Sequence, residues 1–450
     1  MPVLSSKLPD YTGEYGVGVI DLESPLTTPR RIGAYTLQET DRPAFEINTV
    51  LFSLYYPAEK GVKGRLSKHP WQPRPLSLHA EGYARFAKIN NWLVNNIFKF
   101  GLWSLVGSND IPAEVDVGIS GASKAQSIEN TGSDSDNDQS LLPHFPVIVF
   151  SHGMASGRTS YTQYCGELAS RGYVVAAVEH RDGSGPGSVV MHANGTSEKV
   201  FHISEHNLIP QPDIADLKKV QLDMRQAELE ETVRVLKELN QGQGRAVYER
   251  NLRREGTLLD QWKGRLDFDH VVVGGHSYGA TLALQALKEA PSSTLPFKGG
   301  VILDPGKQSG PLNDDIDVPV AIVHSQSWSA KHTVFHGRPH FDVVKDLAKK
   351  LLHKDKSAWF VTAKGTTHPS VTDAPLLQPM LLSWTTGATI DVKDGVQQYV
   401  KITDEFMQFV VTGDRQDILK QSASHPEYNA ETKKCSFTGL EKYWQIHVAP

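Results

Sequence analysis

Three residues of this chain have the types and order that acyl-transfer chemistry needs. Ser277 is the centre of Gly275-His-Ser-Tyr-Gly279, Asp304 closes Gly300-Val-Ile-Leu-Asp304, and His368 lies in Gly365-Thr-Thr-His-Pro369. A serine hydroxyl is a poor nucleophile until a base removes its proton and N–H donors meet the oxyanion it creates. A nucleophilic serine followed in sequence by an acid and then a histidine is the order found with a Gly-x-Ser-x-Gly turn. His368 would take the Ser277 proton during attack and return it to the leaving alcohol, while Asp304 would hold the imidazole tautomer. One oxyanion donor is expected at the N–H of Tyr278, the residue after the nucleophile. The second is expected from Ser151-His-Gly-Met154, at the N–H of Met154, because Gly153 lets the loop turn its amides inward.

Such a site needs elements that hold its members. Val271-Val-Val273 reads as a buried strand and Ala280 to Ala290 as a helix, so Ser277 sits on a strand-to-helix elbow. Gly275 and Gly279 lack a Cβ, so the turn can be tight and the helix can lie close to the strand. Asp304 ends a strand, whereas Asp314, Asp315 and Asp317 lie in a Pro/Asn/Asp loop with no strand before them. His368 follows the strand Ala358 to Thr362. The rival histidines His332, His336, His340 and His353 stand in helical or loop-rich contexts, and His324 stands at a strand end. Further strands are expected at Phe145–Phe150, Gly172–Val178 and Val318–Val323, with helices at Tyr161–Ala169 and Gln221–Asn240. The stripe of Leu222, Leu229, Val233 and Leu236 marks the second helix as amphipathic. Alternating strands and helices imply an α/β fold, a mostly parallel central sheet with helices on both faces.

The 450 residues, 39% apolar and 22% charged, suit a globular protein with a large core. A net charge of −5 gives no electrostatic case for nucleic-acid binding. Two cysteines, Cys165 and Cys435, do not make a disulfide framework. Met1 to Asp10 lacks an apolar signal core, so a cytoplasmic protein is expected. One domain is expected over 1–450, with an N-terminal elaboration over about 1–120 whose best outer strand is Val50–Tyr56. A polar acidic insertion follows over about 121–140, and the tail from about 415 to 450 is unassigned.

Other features carry less chemistry. Glu179-His-Arg-Asp182 reads as an ion-pair network that supports loops, and Glu249 to Glu255 as a solvated helix face. His152, His180 and Asp182 do not form a metal site, and neither a metal nor an organic cofactor is expected. Tyr83 to Val106 mixes aromatic and aliphatic residues with Lys and Asn and is too often interrupted to span a bilayer. Two readings stay open for it: a core-packed helix, or an interfacial helix that dips Trp92, Leu93 and Phe98 into lipid. Leu376, Leu377, Met380 and Leu381 could extend such a face.

Several ordered motifs resemble one family. Ser151-His-Gly-Met-Ala-Ser-Gly-Arg-Thr-Ser-Tyr161 with Leu168-Ala-Ser-Arg-Gly-Tyr-Val-Val-Ala-Ala-Val-Glu-His-Arg-Asp182 is similar to the platelet-activating-factor acetylhydrolases of the plasma and intracellular type II kind. Tyr11-Thr-Gly-Glu-Tyr-Gly-Val-Gly18, Leu54-Tyr-Tyr-Pro57, the elbow, Leu303-Asp304 and His368-Pro-Ser-Val-Thr-Asp373 extend the likeness from about residue 11 to about 410. The resemblance implies an α/β-hydrolase fold and a calcium-independent esterase whose triad falls on Ser277, Asp304 and His368. It implies phospholipid substrates with a short or oxidised sn-2 acyl chain, and lipid docking through the segment that contains Trp92. Pro-Gly after Asp304 and the acidic insertion depart from the family pattern, which leaves acyl-chain and headgroup preference open. The alternatives are a general carboxylesterase or polyester-type hydrolase, and a hydrolase-fold lipid-binding protein without turnover.

Overall fold

A computed structural model describes residues 5–121, 142–331, 333–430 and 439–450, except the side chains of 381–384. The acidic insertion beyond Gly121, His332, Cys435 and the Leu381 side chain therefore lie outside the described residues. Contacts divide the chain into two compact units, residues 1–149 with 155–269 and residues 150–154 with 270–450.

The first unit is built on a long antiparallel pair, Gly16–Arg31 with Glu46–Ala58. The strand read as an outer one over Val50–Tyr56 is longer, and it is not at an edge. It also pairs antiparallel with Val174–Glu179, because its side chains from Thr49 to Ala58 are buried and both backbone edges need partners. The helix expected from Gln221 begins at Ile214 and runs to Asn240. Asp213 caps it by accepting the Asp216 N–H at 2.8 Å, and Leu217 and Val220 extend the buried stripe.

Buried ion pairs tie this unit together. Arg158 bridges Asp21 and Glu179, Arg181 meets Glu23, and Arg225 meets Asp182 at 2.7 Å with both side chains fully buried. Burial opposes ionisation of Asp182, yet the Arg225 charge and the Ser184 hydroxyl and amide hold its carboxyl below the ordinary value. The expected network at 179–182 is thus present. The segment read as a solvated face is only partly so: Arg245 and Glu249 pair at the surface, but Arg253 reaches buried Glu23 and Glu255 pairs with His69. Asn251 explains the inward turn, since its side chain bonds the Glu23 N–H and the Asp21 carbonyl.

Helix Trp92–Val106 packs one side against helix Leu76–Phe86 and leaves the other bare. Trp92 is 79% exposed and Phe100 66%, with Leu93, Ile97 and Trp103 also exposed, whereas Phe98 is half-buried. The outward apolar face therefore runs through Ile97 and Phe100 and leaves Phe98 to the inner side, because helical spacing puts 93, 97 and 100 on one stripe. Among the described residues no helix is long and apolar enough to cross a membrane.

The second unit carries a run of parallel strands. Its strand order is Trp444–Val448, Ala358–Ala363, Val320–Ser325, Phe297–Leu303 and Leu266–His276. The four strands from Leu266 to Ala363 pair parallel, and Trp444–Val448 adds an antiparallel edge. Part of the unassigned tail is therefore sheet. Its five strand residues are buried, and the His447 imidazole is 2.7 Å from the Thr362 hydroxyl.

Candidate active site

Strand register brings the chemistry together. His276 pairs with Leu303 and Leu303 with Val323, so Ser277 and Asp304 each leave the same end of neighbouring parallel strands. Two backbone bonds lock this arrangement: the Ser277 N–H donates to the Leu303 carbonyl at 2.9 Å and the Asp304 N–H to the Val323 carbonyl at 2.8 Å.

Ser277 stands before helix Tyr278–Ala286 with φ 57° and ψ −118°, a conformation that L-residues adopt only under constraint. The glycines around it are compelled by close approach. A Cβ on Gly275 would lie 2.1 Å from the Gly279 carbonyl oxygen, and one on Gly279 would lie 2.1 Å from that of Ser151. The second contact shows where the loop Ser151–Met154 lies: against the first turn of the elbow helix. Tyr278 opens that helix, so its N–H belongs to the end whose dipole favours negative charge. His152 turns back on its own loop, its Nδ1 2.8 Å from the Gly153 carbonyl.

Asp304 is 1% exposed and also has positive φ, 48°. Its Oδ1 accepts the Ser325 N–H at 2.6 Å, and its Oδ2 accepts the Ser325 hydroxyl at 2.7 Å. The His368 Nδ1 lies 2.8 Å from the same Oδ2, which leaves Nε2 as the other ring nitrogen for proton transfer. The His368 side chain is 30% exposed, so part of its ring reaches the surface. Its loop is held by the His368 N–H donating to Ser327 Oγ at 3.0 Å and by the Thr367 N–H donating to Ser370 Oγ at 2.8 Å.

The rival residues go elsewhere. Asp314, Asp315 and Asp317 pair at the surface with Lys350 and Lys354. His324 is wholly buried beside Ser329, His340 is buried and stacked on His324, and His336 and His353 face solvent. Burial holds His324 well below the ordinary histidine value and takes His340 down to about 3. Of the residues after His368 expected on a lipid face, Met380 is 86% exposed but Leu377 is fully buried. Leu377 ends the short helix Ala374–Leu377 and packs inward, so it does not reach the surface.

Sequence reading did not single out four groups that surround these residues. Ser325 grips Asp304, Ser327 grips the His368 backbone, Trp328 stacks on the His368 ring, and His276 lies on the ring with centroids 4.4 Å apart. The signal was available in part, because Ser325-Gln-Ser-Trp328 follows the strand next to that of the acid. His276, Asp304 and His368 also place ligand-type atoms within 4.8 Å of one another. Both Asp304 oxygens accept hydrogen bonds within the pairing with Ser325 and His368, while the His276 Nε2 stands 4.0 Å from Oδ2. Burial, and then the neighbouring His368, hold His276 well below the ordinary histidine value, so it stands neutral.

A family model described as platelet-activating factor acetylhydrolase, isoform II, matches residues 3–421. The platelet-activating factor acetylhydrolase of Canis lupus familiaris is 28% identical over 236 residues, 51% of this chain and 48% of the relative. That of Bos taurus is 25% identical over 374 residues, 82% of this chain and 68% of the relative. The chain spans about half the length of the first curated relatives that it matches. A ferulic acid esterase structure from Streptomyces cinnamoneus has a TM-score of 0.55 at 17% identity, covering 93% of this chain and 96% of that one. That likeness supports the α/β-hydrolase fold.

Proposed function

We propose, because this chain belongs to the platelet-activating factor acetylhydrolase, isoform II, family, that it hydrolyses the short or oxidised sn-2 acyl ester of phospholipids. The observation that carries the reading is the strained Ser277 elbow beside an Asp304–His368 pair at 2.8 Å. His368 Nε2 takes the Ser277 proton as Oγ attacks the ester carbonyl, and the N–H groups of Tyr278 and Met154 receive the oxyanion. Collapse expels the lysophospholipid alcohol with the proton from His368 and leaves an acyl-enzyme. Water, deprotonated by the same imidazole, then frees the acid. Every proton passes through His368.

Chain-length selection is the test of substrate class. Phosphatidylcholine with an sn-2 acetyl group is expected to turn over about tenfold or more faster than its sn-2 oleoyl counterpart, since a pocket distinguishes chains by the methylenes it can bury. Equal rates on both, or turnover of p-nitrophenyl butyrate with none of either phospholipid, would make the protein a general carboxylesterase instead.

The bare face of helix Trp92–Val106 is read as the lipid-contacting surface. Each large apolar side chain transferred from water to lipid contributes about 1.5–3 kcal/mol. Replacing both Trp92 and Phe100 by Ser is therefore expected to weaken binding to phosphatidylcholine vesicles by about 100-fold or more, by centrifugation assay. Hydrolysis of soluble p-nitrophenyl butyrate should stay at the wild-type rate. Undiminished vesicle binding would remove this face from the lipid contact.

A further inference from the structure

We infer that Trp328 is a positioning residue for His368, holding the imidazole flat between two rings and stabilising the cation it becomes during attack. The inference rests on the reading of Ser277 and His368 as nucleophile and base. The Trp328 indole is stacked on the His368 ring, with centroids 4.0 Å apart and planes 10° apart. His276 lies 4.4 Å from the same ring, tilted by 37°. Two rings cannot share one face of an imidazole at such distances, so they flank it.

Trp328 is itself fixed from several directions. Its Nε1–H donates to the Pro305 carbonyl at 3.0 Å, and its backbone N–H to Ser325 Oγ at 3.3 Å. The Lys307 ammonium donates to the Trp328 carbonyl at 2.7 Å and to that of Lys331 at 2.9 Å, and lies 4.6 Å from an indole ring centroid. Pro305 and Lys307 follow Asp304, Ser325 holds the Asp304 carboxylate, and Ser327 holds the His368 backbone. The turn Ser325–Ala330 is thus one platform under both the acid and the base. Without the stack, a ring exposed on one side and tethered only at Nδ1 can swing, and Nε2 leaves the serine proton.

The electrostatics point the same way. Attack on the ester converts the neutral His368 to a cation, and an indole face attracts a cation that a purely aliphatic side chain would not. His276 stays neutral through burial, so it adds no opposing charge. Because the gain appears only as the proton moves, it belongs to the transition state and acts on kcat.

The test uses the full chain, soluble p-nitrophenyl butyrate and a fluorophosphonate probe. Trp328→Met, which keeps a long apolar side chain but lacks a π face, is expected to lower both kcat and the labelling rate about tenfold, with KM within about twofold of wild type. Trp328→Phe should recover kcat to within about threefold of wild type. A role as a wall for the acyl chain predicts the reverse split, with KM raised and kcat kept, and that result overturns the inference. So does a Trp328→Met enzyme with wild-type kcat, or a Phe variant as slow as the Met one. Lys307→Met leaves the indole in place but cuts its tether, and should lower kcat about threefold. If Trp328→Met does not fold, an unchanged kcat in Lys307→Met overturns the inference. A wild-type protein that neither labels nor turns over ester fails at the Ser277 reading instead, which separates the two.

Discussion

Ser277→Ala is expected to lower ester turnover by about 10⁴–10⁶-fold and to abolish covalent labelling by a fluorophosphonate, while the protein keeps its fold. The size follows from the proposed mechanism. Without Oγ no acyl-enzyme forms, and what remains is the modest rate that oxyanion donors and substrate binding confer on water attack. Folding is preserved because alanine has the same Cβ as serine, so the strain at φ 57° is unchanged. Intact-mass measurement after labelling checks both parts: wild type should gain one phosphonyl group, and Ser277→Ala none. Equal labelling of the two proteins would move the nucleophile elsewhere.

Asp304→Asn is expected to reduce kcat by about 10⁴-fold with little change in KM. The substitution is nearly isosteric, but the hydrogen-bond roles at the site are fixed. Oδ1 receives the Ser325 N–H at 2.6 Å, so the asparagine oxygen must occupy that position. The amide NH2 then faces both the Ser325 hydroxyl and His368 Nδ1, where the carboxylate had accepted. Meeting a donor, His368 turns Nδ1 into an acceptor and carries its proton on Nε2. That is the tautomer unable to take the serine proton. Fluorophosphonate labelling should slow by a similar factor, since it needs the same proton transfer. A kcat within tenfold of wild type would mean that another carboxylate orients His368. The exposed, lysine-paired Asp314, Asp315 and Asp317 give no such substitute.

Most of the elbow was legible because its parts are local. A Val-Val-Val run and an Ala/Leu-rich stretch state their periodicities within a few residues, and Gly275 and Gly279 mark the tight turn between them. Asp304 and His368 were legible because each ends or follows a β-rich run in the order that such elbows use. The neighbours were not legible in the same way. Ser325 and Trp328 matter only because Leu303 pairs with Val323, which puts the segment after one strand beneath the acid at the end of another. Tail residues Trp444–Val448 alternate apolar and polar, but nothing local says that Ala358–Ala363 offers them an edge. Leu377 and Met380 show the same limit. Both are apolar and three residues apart, yet one is buried and the other 86% exposed.

The amino-acid sequence by itself singled out one candidate hydroxyl, carboxylate and imidazole, and the family to which the chain belongs. Those features depend on residue type, glycine placement and order along the chain, all of which are local or one-dimensional. Tertiary structure alone decided how the imidazole is held, which apolar residues face outward and what the C-terminal segment does. Each of these is set by contacts between residues far apart in sequence, where strand register and side-chain packing choose the partner.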